Sequence, residues 1–315
     1  MPTESNPMHT SLLRFGLLFL LSCNAVPMAQ AQGFREWLEE ARQASRQPAA
    51  TPPALPAGAR ALRDVAYGSD PRQRFDVYLP ARTRNAPAPG APVLLFVHGG
   101  GWENGNKDNP GVVEDKAAYW LPKGYILVST NYRMRPDTAP LDQARDVARA
   151  LAKVQQLAPQ WDADPSRVVL IGHSAGAHLA ALVGASSALW REAGAGKPRG
   201  VVSLDSGALD VPDLMRRPRI PKLYHRAFGG NPDDWIAASP HHQLTGEAVP
   251  MLIVCSTRRP DACPQGRALA GKAAKLGVRM EVLPQDLSHR EINRELGEIS
   301  SYTKAVDGFI RSLVR

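Results

Sequence analysis

The sequence has few of the features that mark metal-dependent or nucleic-acid-binding proteins. It contains no HExxH segment and no cluster of cysteines and histidines, so it implies no metal and no organic cofactor. It has no run of lysines and arginines, only 6% aromatic residues, and a net charge of +8 that is spread along the chain. A scattered basic excess does not indicate nucleic-acid binding. No internal repeat is present, and 315 residues suffice for one large domain with a real core.

Long apolar runs are also missing. The apolar run near the start of the sequence is too short to span a bilayer. This run, at 15–23, follows Arg14 and precedes Ala29-Gln30-Ala31, which has the form of an A-x-A cleavage site. A basic residue, a short apolar stretch and such a site are typical of a secretory signal peptide. We therefore expect residues 1–31 to be a signal peptide and the mature protein to be periplasmic or secreted.

A lipid anchor is the alternative to soluble export. Leu20-Leu21-Ser22-Cys23 resembles a lipobox, and only lipidation of Cys23 would hold the protein at a membrane. The other two cysteines, Cys255 and Cys263, form an even pair in an exported chain, so we expect a disulfide between them. The loop that this bond closes is short, so its expected contribution to stability is roughly 2 to 3 kcal/mol.

Composition divides the expected mature chain into three parts. Residues 34–46 have the pattern of a short helix, and 47–58 are rich in proline and alanine, so 32–58 are predicted to be a helix and linker. Residues 59–315 are predicted to form the main domain. Within it, 207–249 contain only short helical patches and several prolines between two strands, and we expect them to form a small lid over the sheet edge.

Strand and helix patterns alternate through the main domain. Apolar or alternating segments predict eight strands, at 62–67, 74–79, 92–98, 125–130, 167–172, 200–205, 251–255 and 278–283. Apolar residues at helical spacing predict helices between them, including one over 141–154 and one at the C-terminus over 292–313. We therefore predict an α/β fold with a mostly parallel sheet and helices on both of its faces.

The segment Gly172-His173-Ser174-Ala175-Gly176 fits the pattern G-x-S-x-G. A buried strand leads into it, and a helix-forming stretch of small residues follows it. A sharp strand-to-helix turn of this kind exposes the serine hydroxyl, and both glycines are needed because larger side chains would collide with the neighbouring strand and helix. The pattern predicts that Ser174 is a nucleophile.

Three consecutive glycines, in His98-Gly99-Gly100-Gly101-Trp102, follow the strand at 92–98. Hydrolysis of an acyl group passes through a tetrahedral oxyanion, which needs fixed N–H donors about 3 Å away. A glycine run lets the backbone turn its N–H groups toward the site. We expect Gly100 and Gly101 to be two of the donors, and Ala175, directly after the nucleophile, to be the third.

A serine nucleophile also needs a base, and where such a nucleophile turn occurs the chain order is serine, acid, histidine, which puts the base after the later strands. His289 lies there, just before the C-terminal helix, and is the predicted base. His178 lies four residues after Ser174 on the helix and is expected to be structural. The remaining histidines that follow Ser174 fall in the predicted lid: His225, His241 and His242.

The base in turn needs a carboxylate to orient it. Asp261 follows the strand at 251–255, which is the expected place for this acid, and we predict it for the role. Asp286 is a rival that lies too close to His289 in sequence to approach the ring from behind. Asp205 and Asp210, which follow an earlier strand, are the other rivals.

Together these motifs make the sequence similar to the α/β-hydrolase superfamily, in its esterase/lipase group with HGGGW and GHSAG. The resemblance covers roughly residues 60–315 and includes DVYLP, NYR and SGALD. The most similar patterns are those of small carboxylesterases and kynurenine-formamidase-like hydrolases. The resemblance implies an α/β-hydrolase fold, a triad of Ser174, Asp261 and His289, and an oxyanion hole of Gly100, Gly101 and Ala175. It also implies that Trp102 lines the acyl or alcohol pocket.

One segment departs from the family pattern. The acid loop usually carries a short G-x-x-D turn, whereas here it reads CSTRRPDACP, with two cysteines and two arginines. A disulfide between Cys255 and Cys263 would stiffen this loop.

The expected reaction is acyl transfer in two steps on a small-molecule ester, with a small or aromatic ester favoured over a long-chain lipid. Ser174 attacks the carbonyl while His289 accepts its proton, and water then hydrolyses the acyl-enzyme. Three alternatives stay open: an amidase or arylformamidase on the same triad, an acyltransferase, and a catalytically inactive hydrolase fold that serves as a binding module. The combination of glycine run, nucleophile turn and base argues against the last.

Overall fold

The computed structural model describes Met1 and residues 53–81 and 90–315. Its centre is one eight-stranded sheet with the strand order β1-β2-β4-β3-β5-β6-β7-β8. The strands are β1 Arg60–Ala66, β2 Arg74–Leu79, β3 Ala91–Val97, β4 Ile126–Thr130, β5 Ala163–His173, β6 Gly200–Leu204, β7 Met251–Ser256 and β8 Met280–Gln285. The strand β2 pairs antiparallel with β1 and β4, and the other neighbours pair in parallel. The predicted sheet is therefore confirmed. The predicted signal peptide and the helix at 34–46 lie outside the described residues.

Eleven α-helices occur in the described ranges. They are α1 Pro110–Trp120, α2 Pro140–Leu157, α3 Ala175–Ala185, α4 Ser187–Glu192, α5 Val211–Met215, α6 Lys222–Phe228, α7 Pro232–Ala237, α8 Pro240–Gln243, α9 Ala262–Lys275, α10 His289–Arg294 and α11 Ser301–Val314. Two short 3₁₀ segments, Leu121–Lys123 and Ala158–Trp161, follow α1 and α2. In this part of the chain, no helix is both long enough and apolar enough to cross a membrane.

The central strand β5 shows how the core is divided between the two faces of the sheet. Val168 and Leu170 pack in one apolar cluster with α2, α3 and α9, while Val169 and Ile171 pack in a second cluster with α1 and α11. All four side chains are fully buried. A strand covered on both faces has no polar side, which is why its sequence is a continuous apolar run.

Among the described residues, the predicted C-terminal helix needs correction. The periodic pattern over 292–313 predicted a single helix, but α10 ends at Arg294 and α11 begins at Ser301. Gly297 lies in the break with a φ of 111°, and a Cβ there would be 2.3 Å from the carbonyl oxygen of Asp115. Ile299, which fitted the helical spacing, is 90% exposed. The close approach of the chain to α1 therefore interrupts a pattern that local spacing alone would continue.

Residues 207–249, between β6 and β7, contain the four short helices α5 to α8. Helix α6 lies against the glycine run that follows β3. A Cβ on Gly101 would be 2.6 Å from Cδ1 of Leu223, and Arg226 forms an ion pair with Glu103 at 2.8 Å. This segment therefore contacts the edge of the sheet at which β3 and β5 end.

Candidate active site

The turn from β5 into α3 holds Ser174 in a conformation that few residues adopt. Its φ and ψ are 56° and −117°. A Cβ on Gly172 would lie 2.2 Å from the carbonyl oxygen of Gly176, and one on Gly176 would lie 2.1 Å from that of Val97. Both glycines are thus required by close backbone approach. A strained, enforced turn of this kind is a recurrent feature of nucleophile sites.

The imidazole of His289 lies beside this serine, with Nε2 2.9 Å from Oγ of Ser174. His289 is the first residue of α10 and is only 5% exposed. The start of α10 is fixed by a capping box, in which Ser288 and Glu291 each bond the backbone N–H of the other. The ring of His173 also donates from Nε2 to the carbonyl oxygen of His289 at 2.9 Å. The structure thus holds the predicted base in place from both sides.

The carboxylate beside the imidazole is Asp205, which corrects the assignment of Asp261. Oδ2 of Asp205 lies 2.5 Å from Nδ1 of His289, and Oδ1 accepts the backbone N–H of Ser256 at 2.8 Å. Asp205 is fully buried at the end of β6. Burial alone would raise the pKa of this carboxyl, but the charge of Arg259 and the hydrogen bonds from His289 and Ser256 outweigh it and hold the pKa well below its usual range.

Asp261 instead precedes α9 and pairs with Arg259, whose Nη2 is 3.1 Å from Oδ2. The rivals are also accounted for. Asp286 is an exposed partner of Arg258, and Asp210 caps the N-terminus of α5. Sequence order favoured Asp261 because it follows the later strand. Asp205 directly follows the buried strand GVVSL, but Asp261 also follows a buried strand, so the sequence alone does not separate the two.

The predicted oxyanion donors belong to two segments, the glycine run after β3 and the start of α3. Gly100 and Gly101 have φ angles of 114° and 65°, and a Cβ on the preceding Gly99 would be 3.1 Å from Cβ of Ser174. Ala175 opens α3, so its N–H belongs to the unpaired first turn of the helix. The arrangement fits the predicted roles of the three amides, which stay a prediction.

His98, at the head of the glycine run, has a role that sequence reasoning missed. Its Nδ1 donates to the carbonyl oxygen of Gly99 at 2.7 Å, and its ring stacks on Tyr132 with centroids 4.6 Å apart. Burial lowers the pKa of His98 to about 4, so the ring is neutral and serves as a fixed donor. It holds the glycine run in shape.

Trp102 is almost wholly enclosed, with 3% of its surface exposed. Its ring packs against Tyr224 and Phe228 of α6, and Nε1 donates to Nδ1 of His178 at 3.2 Å. The other nitrogen of His178 donates to the carbonyl oxygen of Ala238 at 2.7 Å, which agrees with the structural role predicted for this histidine. Trp102 therefore joins the glycine run to residues 207–249, and its place in a substrate pocket stays a prediction.

The predicted disulfide is present between Cys255 at the end of β7 and Cys263 at the start of α9. The loop that it closes contains both Arg259 and Asp261. Outside this loop, Asp210, His241 and His242 place three possible metal ligands within 4.8 Å of one another. The carboxylate of Asp210 already accepts the N–H of Asp213 at 3.1 Å as a helix cap, which accounts for its position without a metal.

Several known proteins are similar in sequence to parts of this chain. A family model described as BD-FAE matches residues 75–198. The chain is 34% identical over 120 residues to a probable isoprenylcysteine alpha-carbonyl methylesterase ICME from Oryza sativa subsp. japonica, covering 38% of this chain and 27% of that protein. It is 30% identical over 211 residues to Esterase LipC from Mycobacterium tuberculosis, covering 62% and 50%. It is 35% identical over 122 residues to a kynurenine formamidase from Danio rerio, covering 39% and 38%.

Among solved structures, a truncated carbohydrate esterase from gut microbiota superposes with a TM-score of 0.70 at 18% identity, covering 84% of this chain and 99% of that one. This likeness establishes the fold. The chain matches 27% to 50% of the length of the curated relatives named above. The sheet and this likeness show an α/β-hydrolase fold, and the matched segments of the chain are similar to those of proteins named as esterases.

Proposed function

We propose that this protein is a serine hydrolase that cleaves carboxylic esters through an acyl-enzyme. The observation that carries the proposal is the continuous chain of contacts from Ser174 through His289 to Asp205, with distances of 2.9 and 2.5 Å. A nucleophile, a base and an orienting acid in hydrogen-bond contact are the parts that acyl transfer by serine needs.

In the first step, Oγ of Ser174 bonds to the ester carbonyl carbon while Nε2 of His289 takes the hydroxyl proton. Asp205 holds Nδ1–H of the ring and offsets the charge that the ring gains. The carbonyl oxygen becomes an oxyanion, which the amides of Gly100, Gly101 and Ala175 stabilise. His289 then gives the proton to the leaving alcohol, and water repeats the sequence on the acyl-enzyme.

The substrate class follows from the relatives and from the site. Two of the named relatives are esterases, and small-molecule esters are therefore the proposed substrates. Leu223 of helix α6 packs against Gly101, so the space above the glycine run is limited. This contact favours short or compact esters over long acyl chains.

A formamidase is the second candidate, because one of the relatives carries that name. The same three side chains would attack a formamide carbonyl, with an amine as the leaving group. The choice depends on which substrate the mature protein hydrolyses faster, since both reactions use the same residues.

The test is hydrolysis of p-nitrophenyl esters from acetate to palmitate and of N-formylkynurenine, by the wild-type protein, by Ser174→Ala and by the exposed control Ser166→Ala. We expect Ser174→Ala alone to lose ester hydrolysis and labelling by a fluorophosphonate probe. Faster turnover of N-formylkynurenine would favour the formamidase. A folded wild-type protein that hydrolyses nothing and takes no probe would refute the proposal.

We also propose that the protein is exported, with Cys23 as a lipid anchor the alternative. The disulfide between Cys255 and Cys263 supports an oxidising compartment, because such bonds are rare in the reducing cytosol. Mass spectrometry of the full chain expressed in a Gram-negative host would distinguish the outcomes. A start at Gln32 supports soluble export, a lipidated Cys23 supports the anchor, and an intact N-terminus in the cytosol contradicts both.

A further inference from the structure

Arg259 is a mostly buried cation placed between the two carboxylates that were candidates for the role of the acid. Its Nη1 lies 2.8 Å from Oδ2 of Asp205, and its Nη2 lies 3.1 Å from Oδ2 of Asp261. The Nη1 atom is also 3.1 Å from the carbonyl oxygen of Asp205 and 2.9 Å from Nδ1 of His289. The guanidinium therefore touches both members of the base–acid pair.

The surroundings of Arg259 leave this geometry little freedom. Its side chain is 13% exposed, against 0% for Asp205 and 19% for Asp261. Gly207 packs closely against this pair. A Cβ added to Gly207 would lie within 3.0 Å of Asp261, Arg259 and the hydroxyl of Tyr224. A buried charge is tolerated only when it is paired, and the two carboxylates supply the pairing.

The contact between Arg259 and His289 has a specific chemical meaning. For Nε2 to accept the proton of Ser174, Nδ1 must carry a hydrogen and donate it to Asp205. The N–H of Arg259 then faces the Nδ1–H of His289, which is also a donor. Both groups donate to Oδ2 of Asp205. Arg259 thus keeps Asp205 ionised, while its charge opposes the positive charge that His289 gains when it takes a proton.

We propose that Arg259 is a positioning residue for the reaction proposed above, and that Asp261 acts through it. Arg259 fixes Asp205 against His289 and extends the activity of the enzyme to lower pH. Asp261 anchors the far side of the guanidinium and offsets part of its charge. This inference rests on the proposed hydrolase function.

Other charged or titratable groups also face His289, and none of them changes in the variants below. His173 lies with its ring centroid 4.5 Å from that of His289, and burial, followed by the charge of His289, holds its pKa well below the usual range. Tyr302 of α11 faces Asp205, and burial keeps its hydroxyl protonated. Lys116 of α1 acts on His173 from farther away. Comparison among variants therefore isolates the contribution of Arg259.

The test is the pH dependence of kcat/KM for p-nitrophenyl acetate between pH 5 and 9. In Arg259→Gln, we expect the midpoint of the acid limb to rise by on the order of one pH unit, because a nearby positive charge has been removed. We also expect kcat to fall by roughly 10- to 100-fold with KM little changed, since Arg259 no longer holds Asp205 against His289. Arg259→Lys, which retains the charge, should keep the wild-type midpoint.

Asp261→Asn should shift the acid limb of the pH profile in the opposite direction. It leaves the charge of Arg259 less offset, so the acid limb should move to lower pH, by less than the shift in Arg259→Gln. The control is Arg191→Gln, which removes an exposed arginine that pairs with Glu247. We expect it to keep the wild-type profile.

The outcomes separate this inference from the proposed function. Loss of activity in Ser174→Ala with an unchanged profile in Arg259→Gln would overturn the role of Arg259 and leave the hydrolase intact. A fall in melting temperature alone, without a shift of the acid limb, would make Arg259 merely structural and also overturn it. Persistent ester hydrolysis in Ser174→Ala would instead refute the proposed function itself.

Discussion

Oδ2 of Asp205 lies 2.5 Å from Nδ1 of His289, although 84 residues separate the two in the chain. Ser174 and Asp205 follow β5 and β6, which are neighbouring parallel strands, and the backbone N–H of Ser174 donates to the carbonyl oxygen of Leu204 at 2.9 Å. The nucleophile and the carboxylate therefore stand at adjacent strand ends, and His289 contacts both.

This arrangement predicts that Asp205, and not Asp261, is essential for turnover. Asp205→Asn should lower kcat by about 10⁴-fold, because an amide favours the wrong tautomer of the base. Asp261→Asn should lower it by less than about 10-fold, because Asp261 contacts the site only through Arg259 and the loss of one such anchor is worth about 1 kcal/mol. Steady-state hydrolysis of p-nitrophenyl acetate measures both, with circular dichroism as the control for folding. The reverse order of losses would return Asp261 to the role of the acid.

The turn at Ser174 should tolerate no side chain at Gly176. A methyl group there would meet the backbone oxygens of Val97 and His98 at 2.1 and 2.4 Å, so Gly176→Ala should lower the free energy of unfolding by roughly 1 to 3 kcal/mol and reduce activity. Gly308 in α11 is the matched control, because a Cβ there meets no atom within 4 Å. Gly308→Ala should raise the free energy of unfolding by about 0.4 to 1 kcal/mol. Urea unfolding tests the pair, and equal effects would contradict the steric argument.

Removal of the disulfide should weaken both stability and catalysis. Cys263→Ser, or reduction of the wild type, should cost roughly 2 to 3 kcal/mol of unfolding free energy, because the bond closes a short loop in the unfolded chain. Activity should also fall, since this loop carries Arg259. The double variant with Cys255→Ser should be no worse than either single change, because all three remove one bond. Unchanged melting temperature and activity after reduction would contradict this prediction.

Lys116 should give the protein a dependence of stability on pH. Burial lowers the pKa of its ammonium group from 10.5 to about 7, so above pH 7 the unfolded chain binds more protons than the folded one. The free energy of unfolding should therefore rise with pH between 7 and 9, by at most about 1.4 kcal/mol per pH unit from this group. Lys116→Met should flatten that rise. Urea unfolding at pH 7, 8 and 9 measures the slope, and an identical slope in the variant would count against this account.

The strands and the turn at Ser174 could be read from the sequence because local chemistry determines them. Continuous apolar runs predicted strands such as β3 and β7 to within a residue, and Gly172 and Gly176 mark the turn through their immediate neighbours. The acid could not be read in this way. Both Asp205 and Asp261 follow buried strands and precede His289, and only the packing of the loop after β7 decides which carboxylate reaches the ring. The break between α10 and α11 was equally hidden, because it depends on the contact of Gly297 with Asp115 in a distant helix.

The packing of Leu223 against Gly101 has a consequence for how the proposed activity could diversify. The bond-breaking groups are carried by the ends of β5 and β6 and by the start of α10, whereas the neighbour of the glycine run comes from the segment inserted between β6 and β7. The groups proposed for reactivity and the segment proposed to limit substrate size therefore lie in separate stretches of the chain. Exchange of residues 207–249 for the corresponding segment of another α/β-hydrolase should alter the range of accepted esters while the chemistry of hydrolysis stays the same.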